Sequence, residues 1–312
     1  MRIETGLSAA VALMAFFLLS CGASKDAMPL MGENTPEQNE KGEALFQQAK
    51  AQDEAGRTSR AIRSYDRVAT RHPFAPSAGQ ARLRQAELLE ESGDVVKAFD
   101  AYQQFIDRYS GSGQYAQALS RQAAMAQSAA DGEVRSGFLG IRTRLSLDRT
   151  VKMLEQVAKN APQSRTAAKA HFTIGQLYES RKRPNEAVVA YRRLVRDQPD
   201  SPEAPDALFQ VGEILLAQAD SGNRNQATLD LAREAFNDYL MQYPRHAKNS
   251  DARARLGEIR TRSLQRTFDT ANFYERGGQT EAAKVYYREV VKEAKSGPLH
   301  DAARARLAEL GE

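Results

Sequence analysis

The chain has 312 residues, of which 41% are hydrophobic and 27% charged, so it can bury a sizeable core, and its composition excludes a disordered, collagen-like or low-complexity protein. Its formal net charge of +4 is small for this length and disfavours a nucleic-acid-binding protein, which needs a broad basic surface. Helix-forming residues dominate, and the alternating Val-, Ile- and Thr-rich runs typical of strands are absent, so the sequence predicts an all-α fold.

The first 22 residues have the pattern of an export signal. Arg2 is followed by an apolar run from Leu7 to Leu19, which is too short to span a membrane but is typical of the hydrophobic region of a secretory signal. The only cysteine, Cys21, comes shortly after this run. One interpretation of this position is an ordinary signal peptide that has a cysteine at its end by chance. Without a second cysteine the exported chain forms no internal disulfide, so packing alone must stabilise it.

The sequence Leu18-Leu19-Ser20-Cys21 resembles a bacterial lipobox, in which cleavage leaves a lipidated cysteine as the first mature residue. The resemblance implies a signal peptide at residues 1–20 and a covalent diacylglycerol and acyl (palmitate) lipid on Cys21. We expect no other cofactor and no metal. Gly22 stands where aspartate often signals inner-membrane retention in related bacteria, so we expect anchoring on the periplasmic face of the outer membrane. Residues 21–40 lack helical periodicity and predict a flexible tether that spans roughly 25 Å.

A faint internal repetition occupies the remaining residues, 41–312. Small and aromatic residues recur with the same spacing after 37 positions: Gly56, Ala61 and Tyr65, then Gly93, Ala98 and Tyr102. A later copy keeps a similar set: Gly175, Tyr178, Ala187, Tyr191 and Pro199. The pattern resembles the tetratricopeptide repeat, a pair of antiparallel helices with small residues where they approach, glycine in the tight turn and proline after the pair. It predicts a right-handed superhelix of stacked pairs.

We expect six helix pairs, approximately at 42–73, 77–110, 114–162, 165–199, 203–244 and 249–295, followed by a capping helix near 298–310. The third pair fits least well, because residues 131–149 separate its helices and Thr150 stands where alanine is expected. The fifth carries a polar insertion near 219–226. The sixth matches the pattern at three positions: Gly277, Ala282 and Tyr286. Stacked pairs leave a concave groove lined by first helices, with an irregular helical bundle as the alternative.

Two stretches, residues 69–113 and 251–294, resemble repeats of the BamD family of outer-membrane assembly lipoproteins. With the lipobox, the resemblance covers nearly the whole mature chain. The sequence departs from the family pattern in three respects. It has six repeats instead of five, and residues 131–149 form an insertion. Ser110 stands where proline is expected, and His72 stands where tyrosine is usual. The resemblance implies a non-catalytic periplasmic scaffold that binds the periplasmic domains of the β-barrel insertase and unfolded outer-membrane protein precursors.

The repeat register places eight residues of the first two pairs along the groove: Phe46, Lys50, Asp53, Glu54, Leu83, Glu87, Glu90 and Glu91. They predict an apolar floor between mostly acidic walls, in which Phe46 and Leu83 anchor an extended precursor peptide. Phe172 and Phe209 repeat the apolar position further along. For each of these apolar residues the alternative is packing between neighbouring first helices.

Five arginines oppose a single glutamate, Glu258, in one segment of the last pair: Arg253, Arg255, Arg260, Arg262 and Arg266. We expect them to dock an acidic periplasmic domain of the insertase, and a solvated helix face is the alternative. Helical spacing puts Arg255, Arg262 and Arg266 roughly together, with Arg253 and Arg260 on a neighbouring face. The five therefore cannot all serve one contact.

The sequence contains no HExxH motif, no Gly-rich phosphate loop, no G-x-S-x-G and no CxxC, so we expect a protein that is not an enzyme. Its four histidines lack the spacing of a helical metal site: His72, His171, His246 and His300. Two other scaffolds remain as alternatives. A Tol–Pal-type envelope coordinator begins with a coiled coil, for which residues 22–41 are too short. A lipoprotein assisting secretin or pilus assembly tends to keep a stricter 34-residue repeat.

Overall fold

The computed structural model describes residues 34–138, 141–221 and 226–312, and the predicted signal peptide, Cys21 and most of the tether lie outside these ranges. The described residues are mainly helical, which confirms the all-α class. The helices are α1 (Pro36–Glu54), α2 (Thr58–Arg71), α3 (Ala78–Glu91), α4 (Val95–Arg108), α5 (Tyr115–Ala130), α6 (Leu147–Asn160), α7 (Arg165–Ser180), α8 (Pro184–Asp197), α9 (Ala204–Ser221), α10 (Gln226–Gln242), α11 (Asn249–Arg276), α12 (Thr280–Ala294) and α13 (Pro298–Glu309). In this part of the chain no helix is both long and apolar enough to cross a bilayer.

A short β-hairpin departs locally from the helical pattern. Strands β1 (Arg135–Phe138) and β2 (Ile141–Arg144) pair antiparallel, with Arg135 opposite Arg144 and Phe138 opposite Ile141. The hairpin lies within the 131–149 insertion that separates α5 from α6. The sequence did not predict it, because four residues per strand are too few for an alternating pattern to stand out. Val134 and Leu145, at its two ends, are buried.

The chain divides into two compact units, residues 1–84 and 85–312. In the first unit, α1 and α2 pack together as a hairpin. In the second, each helix from α4 to α12 packs on the next helix along the chain. Thr150 of α6, where alanine was expected, is buried and its hydroxyl donates to the Ser146 carbonyl at 3.1 Å, which satisfies the extra polar group.

Four interhelical turns share one backbone geometry. A residue with positive φ ends the turn, a fully buried alanine follows five positions later, and a buried tyrosine follows nine positions later. The sets are Gly56, Ala61 and Tyr65; Gly93, Ala98 and Tyr102; Lys182, Ala187 and Tyr191; and Gly278, Ala283 and Tyr287. Glycine suits this position because it adopts positive φ without a steric cost.

The sixth pair was predicted one residue out of register. Gly277 has φ −80° and Tyr286 is only partly buried, whereas Gly278 has φ +73° and Tyr287 is fully buried. The sequence repeats each residue type as a doublet in this pair, so both registers match by residue type, and only backbone conformation and burial distinguish them. The same shift replaces Ala282 with Ala283.

The small residues sit where helices approach closely. A Cβ added to Gly175 in α7 would lie 2.3 Å from the ring of Tyr191 in α8, and one added to Gly212 in α9 would lie 2.7 Å from the ring of Phe236 in α10. Two of the buried clusters of the second unit lie in its C-terminal part. The central cluster runs from Ala168 to Ile259, and the C-terminal cluster joins α11, α12 and α13. The 28-residue α11 reaches both, and residues 260–270 between them contain no buried side chain.

Candidate protein-binding surfaces

A contact among a tyrosine, a carboxylate and an arginine recurs along the chain, and we call it the tyrosine clamp. The tyrosine follows the acid by 12 positions and donates its hydroxyl to it, and an arginine 31 positions after the acid binds the same carboxylate. The three clamps are Asp53 with Tyr65 (3.4 Å) and Arg84 (2.7 Å), Glu90 with Tyr102 (2.9 Å) and Arg121 (3.3 Å), and Glu275 with Tyr287 (2.6 Å) and Arg306 (3.3 Å). Each arginine belongs to the helix that follows the pair, so a clamp ties a pair to its successor.

Burial controls the protonation of these tyrosines. It raises the pKa of Tyr65 and of Tyr287 to about 12, and the hydrogen-bonded carboxylate adds to the effect in each case. Burial and Glu90 likewise raise the pKa of Tyr102. The phenols therefore stay protonated and act as hydrogen-bond donors to carboxylates at neutral pH.

Two of the predicted groove acids, Asp53 and Glu90, thus have roles inside the fold. The sequence placed them on the acidic walls of a peptide groove, but their carboxylates are already occupied by a tyrosine and an arginine. The spacing of 12 between acid and tyrosine was visible in the sequence. The arginine partner was not, because it comes from the next repeat.

The other groove residues fall into two classes. Phe46 and Leu83 are buried, each 7% exposed, and Phe46 packs on Tyr65 with ring centroids 5.8 Å apart. Both apolar residues therefore belong to the core, as the packing alternative has it. Lys50 and Glu54 are exposed and form an ion pair at 3.8 Å. Glu87 is partly buried and Glu91 is exposed, so neither of these two groove residues belongs to the core.

The five arginines of α11 between positions 253 and 266 differ in the partners that they contact. Arg255 binds Glu213 at 2.8 Å and Glu258 at 3.2 Å, and Arg262 binds Glu258 at 2.6 Å and also Asp220. These neighbouring carboxylates raise the pKa of both guanidinium groups. Arg255 and Arg262 therefore tie α11 to α9, and they are committed within the fold.

The remaining three arginines lie elsewhere on α11 and are exposed. Arg260 donates to the backbone carbonyl of Glu293 in α12, whereas Arg253 and Arg266 lie at opposite ends of the segment. The expectation that the five cannot serve one contact agrees with this arrangement. Their role in docking a partner stays a prediction.

A cavity of about 950 Å³ lies against the middle of α11, and the sequence did not predict it. Its wall combines apolar and charged side chains from α9, α10 and α11: Ala219, Asp220, Gln226, Leu229, Thr261, Arg262, Gln265, Arg266, Asp269, Thr270 and Phe273. Phe273 is 71% exposed. The cavity coincides with the stretch of α11 between the two buried clusters, where residues 260–270 contain no buried side chain.

The histidines lie apart from one another. His171 is buried, and Nδ1 of His246 lies 2.7 Å from the hydroxyl of Tyr239. His300 contacts Asp301 at 2.9 Å. Across the described ranges, no group of three His, Cys, Asp or Glu side chains is arranged to hold a metal ion.

Comparison with known families gives two matches. The profile of the YfiO family, described as an outer membrane lipoprotein, matches residues 143–309, which is more than half of the chain. A tetratricopeptide-repeat profile matches residues 46–113. Both families typically consist of non-enzymatic scaffolds that bind other proteins. No curated protein matches the chain in sequence.

Similar solved structures include three from different sources. PilF of Pseudomonas aeruginosa is 10% identical, covers 86% of this chain and 99% of its own length, and has a TM-score of 0.29. The tetratricopeptide domain of P58(IPK) is 14% identical with coverages of 86% and 78% and a TM-score of 0.37. A tetratricopeptide protein from Parabacteroides merdae is 12% identical with coverages of 88% and 100% and a TM-score of 0.28.

Proposed function

The chain belongs to the YfiO family of outer membrane lipoproteins, and on this premise we propose that it is a non-catalytic scaffold of the outer-membrane β-barrel assembly machinery. It is anchored through Cys21 on the periplasmic face, holds the periplasmic domains of the barrel insertase, and receives unfolded barrel precursors. The observation that carries the proposal is the family match over residues 143–309, which contain the long helix α11 and its open cavity. A preformed surface of this kind binds without a large cost in ordering.

The lipid anchor is tested by the Cys21→Ser variant. Because Cys21 is the only thiol in the chain, radiolabelled palmitate should enter the unaltered protein and not the variant. Fractionation of the envelope should then move the variant from the outer-membrane fraction to the soluble periplasm. Equal labelling of both chains would contradict the anchor.

The insertase docks, in this proposal, along the exposed side of α11. Arg255 and Arg262 are unsuitable for charge reversal, because either change would break ion pairs that hold α11 to α9. Two variants separate the remaining positions. Arg253→Glu with Arg260→Glu tests the neighbouring face, and Arg266→Glu with Phe273→Ala tests the wall of the cavity.

We expect the cavity variant to lower recovery of the insertase in pulldowns by about tenfold or more, since exposed aromatic and arginine side chains dominate binding energies. Met241→Ala is the matched control, because Met241 is 73% exposed and does not line the cavity. If both arginine variants keep their thermal stability and recover the insertase as the control does, docking on α11 is wrong.

Capture of precursors by the first two pairs remains part of the proposal. Replacing the buried Phe46 and Leu83 would disturb the fold, so the exposed ion pair of Lys50 and Glu54 is the better target. Reversal of both charges, Lys50→Glu with Glu54→Lys, keeps the pair and inverts the local field. A precursor peptide bound at this surface should lose affinity, and unchanged affinity would exclude these two residues from the site.

Crosslinking in intact envelopes tests the assignment as a whole. Recovery of the barrel insertase supports it. Recovery of secretin or pilus components, or of the Tol–Pal system, in place of the insertase would replace it with one of the two alternative scaffolds.

A further inference from the structure

The exposed side of α2 carries a row of arginines. Arg60, Arg63, Arg67 and Arg71 follow one another at intervals of three or four residues, which places them along one side of the helix. All four are exposed, while the opposite side of α2 is buried. We call these four residues the basic stripe.

The basic stripe forms no ion pair with an acid of the described residues. In the part of the chain that the structure describes, none of its four side chains forms a hydrogen bond, an ion pair or a cation–π contact. The acid of the same helix, Asp66, binds Arg82 at 2.9 Å. Like charges at this spacing repel one another along a helix, and an external anion relieves that repulsion.

Other second helices are built differently. In α8, Arg193 and Arg196 both bind Asp197. In α10, Arg233 binds Asp230 at 2.9 Å. The absence of such pairing in α2, within the described ranges, marks its exposed side as a surface for an anionic partner.

The C-terminal end of α2 lies close to the beginning of the folded chain. A Cβ added to Gly42, in the second turn of α1, would lie 2.8 Å from Cβ of His72, the residue directly after α2. Fourteen residues separate Cys21 from Pro36, the first residue of α1. The tether that the sequence predicts there would span about 20 Å. In a protein anchored through Cys21, the end of the stripe is therefore held near the bilayer.

We propose that the basic stripe binds the anionic phospholipid headgroups of the leaflet that holds the lipid anchor. The inference rests on the proposed lipidation of Cys21. Guanidinium groups bind phosphate oxygens in a bidentate geometry, so arginine suits this role. Phe74, three residues beyond Arg71, is 39% exposed and offers an aromatic side chain of the kind favoured at a membrane interface. Contact through the stripe orients the first helix pair against the membrane.

The test uses the mature chain, residues 21–312, with Cys21→Ser, so that no lipid contributes. We expect it to cosediment with phosphatidylcholine vesicles that contain phosphatidylglycerol and not with vesicles of phosphatidylcholine alone. Each arginine near an anionic surface strengthens binding about fivefold. Changing all four residues of the stripe to glutamine should therefore weaken binding by about a hundredfold or more, and raised salt should do the same to the unaltered chain.

The matched control removes the same charge elsewhere. Arg165, Arg192, Arg276 and Arg304 are exposed, and changing them to glutamine alters the net charge equally without touching α2. This control should bind as the Cys21→Ser chain does. Equal loss in control and stripe variants, or equal binding to neutral vesicles, would overturn the proposal.

Two further outcomes separate this inference from others. If the stripe variant binds vesicles normally but loses a protein partner from envelope extracts, the occupant is an acidic protein and the lipid proposal is wrong. Because the vesicle assay uses a chain without lipid, its failure leaves the Cys21 anchor untouched. Failure of palmitate labelling, in turn, leaves vesicle binding through the stripe intact.

Discussion

Lys182 occupies the turn position that glycine fills in the first, second and sixth pairs. Its φ of +57° lies in the left-handed region, which costs a residue with a Cβ roughly 1 to 2 kcal/mol. Glycine at this position would remove the cost, but its greater conformational freedom in the unfolded chain offsets part of the gain in stability. We expect Lys182→Gly to raise the free energy of unfolding by about 0.5 to 1 kcal/mol, measured by urea denaturation.

The reciprocal variant is Gly278→Ala, at the same turn position of the sixth pair. A Cβ there would meet nothing within 4 Å, so the backbone conformation alone decides the cost. It should destabilise the protein by about 1 kcal/mol. If Lys182→Gly has no effect while Gly278→Ala does, the left-handed turn is not the strained feature at Lys182.

His171 gives the stability a dependence on pH. Burial, reinforced by the charge of Arg193, lowers the pKa of His171 below its usual 6.5, and Asp197 opposes the shift. The unfolded chain then binds this proton more readily than the folded protein. Stability is therefore complete above about pH 6.5 and is lost as the pH falls towards the lowered pKa.

We expect His171→Gln to flatten this part of the curve, with the free energy of unfolding measured in urea at steps between neutral and mildly acidic pH. His171 lines a cavity of about 280 Å³. The other titratable groups around this cavity are Glu155, Glu186, Tyr178 and Arg193, and they are unchanged in the variant. Parallel curves for the two proteins would show that His171 does not titrate differently on folding.

At the scale of the helix pair, the fourth pair has an incomplete clamp. Tyr191 donates its hydroxyl to Glu179, but the residue 31 positions after Glu179 is Gln210, where the three complete clamps have arginine. Since α7 and α9 are in contact, an arginine at this position should reach the carboxylate. We expect Gln210→Arg to stabilise the protein by about 0.5 kcal/mol, as partly exposed ion pairs do.

A double-mutant cycle with Glu179→Gln isolates this interaction. The gain from Gln210→Arg should disappear when Glu179 is replaced. A gain of equal size in both backgrounds would show that the arginine acts through some other neighbour. Thermal and urea denaturation give the four free energies.

The pairs themselves were predictable because their spacing depends on local chemistry. Glycine in the turn, alanine at the close approach and tyrosine in the gap each have a physical reason that the sequence displays. Features that join one pair to the next were not predictable from the sequence. The arginine of each clamp lies 31 positions from its acid, and the doublets of the sixth pair hide its register. The cavity is lined by residues of three helices, α9, α10 and α11.

The same distinction applies to the candidate site, where the helix pattern was predictable and the partners of single side chains were not. The family resemblance inferred from the repeats is confirmed, because it rests on the helix pattern that defines the fold. The surroundings of the individual groove residues were not predictable, because the repeat register gives the side of the helix on which a residue lies and not the partner of its side chain. Phe46 and Leu83 are buried, and Asp53 and Glu90 are held in clamps.

At the scale of the larger unit, the two buried clusters should open separately. They are joined through α11, whose residues 260–270 contain no buried side chain. In repeat proteins each unit is stabilised mainly by its neighbours, so a defect spreads poorly across a weak junction. Tyr287→Ala removes the largest fully buried side chain of the C-terminal cluster and should lower its local stability by about 3 kcal/mol or more.

Hydrogen exchange followed by mass spectrometry measures this directly. Amides of α12, α13 and the last turns of α11 should exchange faster by roughly a hundredfold, as 3 kcal/mol implies, while those of α7 to α10 keep their protection. Tyr191→Ala is the matched control, because it removes a fully buried tyrosine from the central cluster and should accelerate exchange there instead. Faster exchange throughout α7 to α13 in both variants would mean that the clusters unfold as one body, and that α11 transmits the defect through residues 260–270 although none of these is buried.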